Sequence, residues 1–414
     1  MRRTLLPLGL ALPLLILAYS LLMTAVSMAG VSTLAGNASL TPVVPSPTEH
    51  SDPTTVVPPT PSASPTLTPS PPPSATPSPT ASPSATPRPT STPSPPPTPT
   101  RTPTPTPTED PVVALQRIRP NELGWIIVLE YHLIEEPEAR WSRTPANFRR
   151  DIERLIAEGY YPINLIDLAL GQINVPAGKT PLVLTFDDSS SGQFRYLPDG
   201  TVDPDSAVGI LLAAARQYPN DWRTQATFFV LLDVDVPDRI LFGQPEWAEQ
   251  KLLNLIEWGM EVGSHTISHF RLSDGTPEQI RWQLAVSEET IESMIPGYEV
   301  LSLSVPLGLY PEDEDLLRAG EWEGQHYDFQ AVVEVAGGPS PSPFSTHFDP
   351  YHIRRVQATA EQLDTWLGFF QDHPELRFVS DGDPTVVTAP DPLPAQLEGS
   401  LREDLIVQWY PAAP

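Results

Sequence analysis

The chain has 414 residues, no cysteine, 54 prolines and a formal net charge of −27. Without cysteine, disulfides and a lipoprotein anchor are both excluded, so stability must come from a buried core. So negative a chain argues against nucleic-acid or polyanion partners and suits neutral or cationic ligands.

The first 111 residues carry none of that excess, since arginines 2, 3, 88 and 101 balance Glu49, Asp52, Glu109 and Asp110. After Met1, Arg2 and Arg3 an apolar run extends from Leu5 to about Ala29, long enough to span a bilayer. The two arginines would stay cytoplasmic and everything after the run would lie outside. Ser27 to Ala29 also offer small residues where a signal peptidase would cut. Residues 1–30 therefore read as a membrane anchor or a cleaved signal, and both place the rest outside the cytoplasm. From Pro42 to Pro111 the sequence is almost wholly Pro, Thr and Ser. Such a stretch cannot bury enough apolar surface to offset its ordering entropy. Residues 31–111 are thus expected to be a disordered stalk, reaching about 200 Å if extended as polyproline II.

Residues 112–414 carry the folded part. Trp125 to Tyr131 read as a buried strand leading to His132. Thr144 and Pro145 open a helix as N-cap and first residue, with Phe148, Ile152, Leu155 and Ile156 on one face and Gly159 as its stop. Pro181 to Phe186 is a short run rich in β-formers that ends in two adjacent acids, Asp187 and Asp188, and then in Ser189 to Gly192. A turn-rich excursion to Pro204 leads into a helix near Ser206–Tyr218. Ala226 to Leu231 is a strand, Pro245 to Trp258 a helix, and Met260 to Ser264 a strand that runs into His265 and His269. Pro277 to Ile295 reads as a long helix, Val300 to Val305 as a strand and Pro311 to Gly320 as a short helix. Ala331–Val335 and Ile353–Val356 are strands, Ala360–Asp372 a helix, and Arg377 to Thr388 a hairpin about Asp381 and Gly382. This alternation predicts a parallel α/β architecture, a (β/α) barrel of distorted form.

Both charged motifs follow predicted strands of one β/α series, which brings them to the same face. Two histidines four apart with one carboxylate make three protein ligands and leave a position open for water, as a hydrolytic metal site requires. The second carboxylate would then be the base. Trp141 and Trp222, in predicted loops, are the tryptophans that could stack on a sugar face.

Thr185 to Asp188 and His265 to His269, in that order and with Ala226 to Val230 between them, resemble the first two motifs of the polysaccharide deacetylases, the NodB-homology or carbohydrate esterase 4 family. Leu129 to His132 and the Asn147 to Tyr160 helix resemble its poly-N-acetylglucosamine deacetylase branch. The resemblance covers roughly residues 124–309. It implies Asp188, His265 and His269 as ligands of a divalent ion, most often zinc, and Asp187 as the general base. It also implies a glycan substrate whose N-acetyl groups are hydrolysed. The loop after the Val300–Val305 strand would meet the substrate through Pro306 and Gly308. That loop lacks the arginine with which the family usually steadies the catalytic Asp, and the late histidine that donates the proton is not evident. His132 is the first substitute, with His347 and His352 behind it. The degenerate later motifs leave open a second reading, a glycan-binding member that has lost turnover. A glycosidase is disfavoured, because adjacent carboxylates cannot straddle a glycosidic bond.

Overall fold

The computed structural model describes residues 110–412. The expected anchor and nearly all of the stalk lie outside them. Among the described residues no helix is long and apolar enough to cross a membrane.

Eight strands form the central sheet: β1 (Ile127–Tyr131), β2 (Tyr160–Ile163), β3 (Thr180–Phe186), β4 (Thr227–Val230), β5 (Glu261–Ser264), β6 (Ser302–Ser304), β7 (Ala331–Gly337) and β8 (Ile353–Gln357). Neighbours run parallel in the order β1, β8, β7, β6, β5, β4, β3, and β3 pairs back onto β1 through Ile127–Leu182 to Tyr131–Phe186. The expected barrel is therefore a closed ring of seven parallel strands. Its distortion has a definite cause. One edge of β3 is divided, with residues Thr180 to Val183 pairing with β2 and Thr185 and Phe186 with β4. The eighth strand thus lies outside the ring.

Helices α1 (Pro111–Ile118), α2 (Pro145–Ala157), α3 (Leu165–Ala169), α4 (Ala207–Gln217), α5 (Ala248–Glu257), α6 (Pro277–Met294) and α7 (Ala360–Asp372) complete the main elements. Thr144 caps α2 by accepting the Asn147 N–H, and Pro145 fills its first position, where a missing N–H costs nothing. Phe148, Ile152 and Leu155 bury the helix against the barrel wall. Gly159 follows with φ 83°, a value favouring glycine, and turns the chain into β2.

Two segments differ from their sequence reading. Pro311 to Gly320 holds only a 3-10 turn, Glu314–Leu317, and then enters an antiparallel pair, Ala319–Trp322 with Gln325–Asp328. Arg377 to Thr388 is not a hairpin. Its last residues begin β9 (Val387–Asp391), which pairs in parallel with β10 (Val407–Pro411). Gly382 bends the chain and the turn itself falls at Pro384 and Thr385. Glu122 accepts from the Ser380 hydroxyl and from the Asp381 and Thr388 N–H groups, and the Thr388 hydroxyl donates to Asp381 at 2.5 Å, so the flanks are joined through side chains and not by a strand ladder.

Strand alternation sorts the barrel into two faces. Ile127, Leu129, Leu182 and Leu184 pack outward under the helices. Val128, Val183, Phe229, Val333 and Ile353 belong to a separate inner cluster. Continuing that inner parity toward the strands' carboxyl ends gives Glu130, Thr185, Asp187 and Arg355. The lumen thus passes from apolar to charged within two residues of each strand, and the charged layer is where the chemistry concentrates.

Candidate active site

Asp187 and Asp188 follow the last residue of β3 and part at once. Asp187 keeps the inward direction of its strand. Asp188 has a left-handed backbone, φ 73°, so the chain bends and the second carboxylate is aimed elsewhere. Ser189 holds the bend: its hydroxyl donates to the Arg239 carbonyl at 2.6 Å and accepts the Leu231 N–H at 3.0 Å.

Asp188, His265 and His269 converge as expected, each offering a ligand atom within 4.8 Å of the other two. Nε2 of each histidine is 3.5 Å from Asp188 Oδ1. That oxygen is buried and has no hydrogen-bond partner. Ligands of a tetrahedral ion at 2.0–2.1 Å would stand about 3.3 Å apart, so the residues present fit a divalent cation. The neighbours orient them for it. His265 Nδ1 donates to the Ser304 carbonyl at 2.8 Å, which leaves Nε2 free. Gln283 of α6 accepts the Ile267 and Ser268 N–H groups at 2.9 and 3.3 Å and so braces the loop between the histidines. Arg239 Nη1 lies 3.1 Å from the other Asp188 oxygen. Burial alone would raise Asp188, but the histidines reverse this and hold it at about 2.

Asp187 has a different setting. Arg355 Nη1 and Nη2 donate to its two oxygens at 2.8 Å each, and the Ser304 hydroxyl donates to Oδ2 at 2.9 Å. Arg355 is completely buried and also holds Glu130 Oε1 at 2.8 Å. Burial pushes the Asp187 carboxyl up, yet the guanidinium outweighs it and keeps Asp187 well below the usual carboxylate range. The arginine absent from the loop after β6 is therefore supplied from β8. Sequence reasoning missed it by looking only in that loop. The available signal was Arg355 at the inward parity of Ile353.

His132 also reaches this centre, within 4.8 Å of Glu130 and Asp187 as potential ligand atoms. Its carbonyl and that of Asp187 accept the same Gln193 side-chain nitrogen, at 2.7 and 2.5 Å, which ties the ends of β1 and β3 together. Burial lowers the His132 pKa, against the raising influence of Asp187 and Asp188. Trp141, 39 % exposed, lies over the His132 ring with centroids 4.6 Å apart. Its loop is anchored by Arg143, which donates to both oxygens of Asp151 on α2.

The other candidates divide. Pro306 is buried and Gly308 has φ 63°, in a 3-10 turn that begins two residues after Ser304, at the rim. Trp222 is not a surface platform. It is 1 % exposed, because the turn after α4, closed by its N–H on the Tyr218 carbonyl, returns it to the core. His347 is exposed. His352 is engaged by Glu334 and Glu314 at 3.1 Å each, which leaves it no free ring nitrogen.

Residues 174–319 match the polysaccharide deacetylase family. YxkH of Bacillus subtilis (strain 168), whose name carries the same family description, is 22% identical over 273 residues, 63% of this chain and 84% of that protein. Similar solved structures include the Streptococcus pyogenes deacetylase PplD in complex with acetate, at 17% identity and TM-score 0.44, covering 59% of this chain and 97% of that one. IcaB from Ammonifex degensii is similar at 16% identity and TM-score 0.42, over 59% and 97% of the two chains. The resemblance first read from the two charged motifs holds, and residues 174–319 carry a polysaccharide deacetylase domain.

Proposed function

We propose that the protein is a metal-dependent hydrolase that removes N-acetyl groups from N-acetylglucosamine units of a cell-surface or cell-wall polysaccharide. The observation that carries this reading is the unpartnered Asp188 oxygen, 3.5 Å from two imidazole nitrogens and next in sequence to a separately held carboxylate. Asp188, His265 and His269 would hold the ion, with zinc the metal of choice for this donor set. When bound, it would supply Lewis-acid polarisation of the acetamide carbonyl and acidify the attacking water. Asp187, kept ionised by Arg355, takes the proton of that water. His132 gives a proton to the departing amine, and Trp141 offers its exposed face to the pyranose ring. The Pro306–Gly308 turn borders the same rim. The reading further takes residues 1–30 as anchor or signal and 31–111 as a stalk, which would present residues 112–414 outside the cytoplasm.

The binding-only alternative drew on the missing arginine and the missing late histidine; Arg355 on Asp187 removes the first motive, and the second is answered only if His132 serves as the proton donor. Acetate release from an N-acetylglucosamine oligomer, with and without chelator and in Asp188→Ala, tests the proposal. Release that survives both metal removal and the substitution would refute it.

A further inference from the structure

Glu130 lies on β1, two residues before His132, and shares the lumen with Asp187. Its side chain is wholly buried. One oxygen, Oε1, is taken by Arg355 at 2.8 Å, while Oε2 is buried with no hydrogen-bond partner. Leaving a buried carboxylate oxygen unpaired is costly, so its surroundings bear on what it does. Glu130, His132 and Asp187 have the donor chemistry of a second metal site. The guanidinium of Arg355, however, already stands 2.8 Å from both carboxylates and supplies the positive charge there. The group left without a role toward Arg355 is the His132 ring. A cavity of about 10 Å³, lined in part by Glu130, His132, Trp141 and Gln357, borders that carboxylate. It is the size of a single water.

We propose that Glu130 is the positioning residue of His132: its free oxygen hydrogen-bonds the near ring nitrogen, directly or through one water in the small cavity, and so presents the far ring N–H to the leaving amine. The proposal rests on the reading of His132 as proton donor. The proton accounting is closed. As the C–N bond breaks, its electron pair stays on nitrogen, the far ring N–H bond of His132 breaks and an amine N–H bond forms. The near ring nitrogen then gains the proton that Glu130 held. Two shifts agree with this sharing: burial, reinforced by Asp187 and Asp188 and opposed by Arg355, pushes Glu130 up to about 8, while burial lowers His132.

The test compares two substrates of the full-length, metal-loaded protein. An amine cannot leave without a proton, whereas an aryl oxide can. General acid assistance contributes about 10²–10⁴-fold where it is needed. Glu130→Gln and Glu130→Ala should therefore lower the ratio of N-acetylglucosamine-oligomer turnover to 4-nitrophenyl acetate turnover by about tenfold or more. If Glu130 instead serves only Arg355 and the base, both rates fall together, the ratio is unchanged and the proposal is overturned. Glu130→Gln, which keeps shape and volume, carries the test should the alanine variant fail to fold. Nitrogen-15 spectra of the His132 ring, assigned with His132→Asn, supply a second readout that needs no turnover. A shifted near-nitrogen resonance in Glu130→Gln supports the contact, and an unshifted one overturns it. If the wild-type protein releases no acetate, the deacetylase reading fails, and the ring spectra still decide the contact.

Discussion

Arg355 grips both carboxylate oxygens of Asp187 at 2.8 Å, across 168 positions of sequence and from a strand that does not pair with that of its partner. The same guanidinium holds Glu130, so its removal leaves two buried acids facing each other. We expect Arg355→Ala to destabilise the fold by about 3–5 kcal/mol in urea denaturation near neutral pH. The pH dependence follows from Asp187. Its folded pKa is depressed, so the stabilisation is present above the ordinary value of 3.8 and is lost as pH falls through the depressed one. The gap between wild type and variant should therefore narrow in acid. A gap independent of pH would show that the pair contributes nothing through charge.

Metal affinity should respond to a residue that touches no metal. Gln283 fixes the loop between His265 and His269 through two backbone N–H groups. Gln283→Ala is expected to weaken zinc binding about 10–100-fold by titration calorimetry, the usual range for such supporting contacts. Asp188→Ala should abolish binding. Equal affinities for wild type and Asp188→Ala would place the ion elsewhere.

The two candidate tryptophans should separate cleanly. Trp141→Ala removes an exposed face beside His132 and should lower kcat/KM about three- to tenfold, with little change in melting temperature. Trp222→Ala empties a core position and should cost about 3–5 kcal/mol of stability. The paired measurements are steady-state kinetics and urea denaturation on both variants.

Glu288 on α6 offers a test away from the site. It is 9% exposed, its Oε2 has no hydrogen-bond partner, and burial, with Glu292 adding to it, raises its pKa to about 8. A raised folded pKa means that the native state binds the proton more tightly. Stability is then greatest below the ordinary value of 4.5 and declines as pH rises toward 8. Glu288→Gln avoids that decline, so its melting temperature should exceed the wild-type value at pH 8 and approach it near pH 4.

The convergence of Asp188, His265 and His269 was legible because both halves are short motifs at strand ends, where residue type and position agree. The helix from Pro145 was legible because Thr144, Pro145 and Gly159 mark its ends locally. Arg355 was hidden for the opposite reason. Nothing near it in sequence is acidic enough to attract notice, and its role depends on which side of β8 faces the lumen, a matter of three-dimensional parity. Trp222 misled because a loop was equated with surface, although this loop folds back beneath α4. The Asp381–Gly382 pair misled because turn-forming residues do not specify which strands flank them, and Glu122, distant in sequence, takes the donors on either side.

In the β1–β3 ladder, Tyr131 stands opposite Phe186. His132 and Asp187 follow directly, and the Asp187 N–H donates to the Tyr131 carbonyl at 2.9 Å. In the proposed roles, the spacing of proton donor and proton acceptor would follow from that backbone pairing, and the Gln193 side chain ties the two residues' carbonyls together. Under the proposed function, a ligand would have to fit a gauge the scaffold already fixes, and choice among glycans would fall to the rim around it.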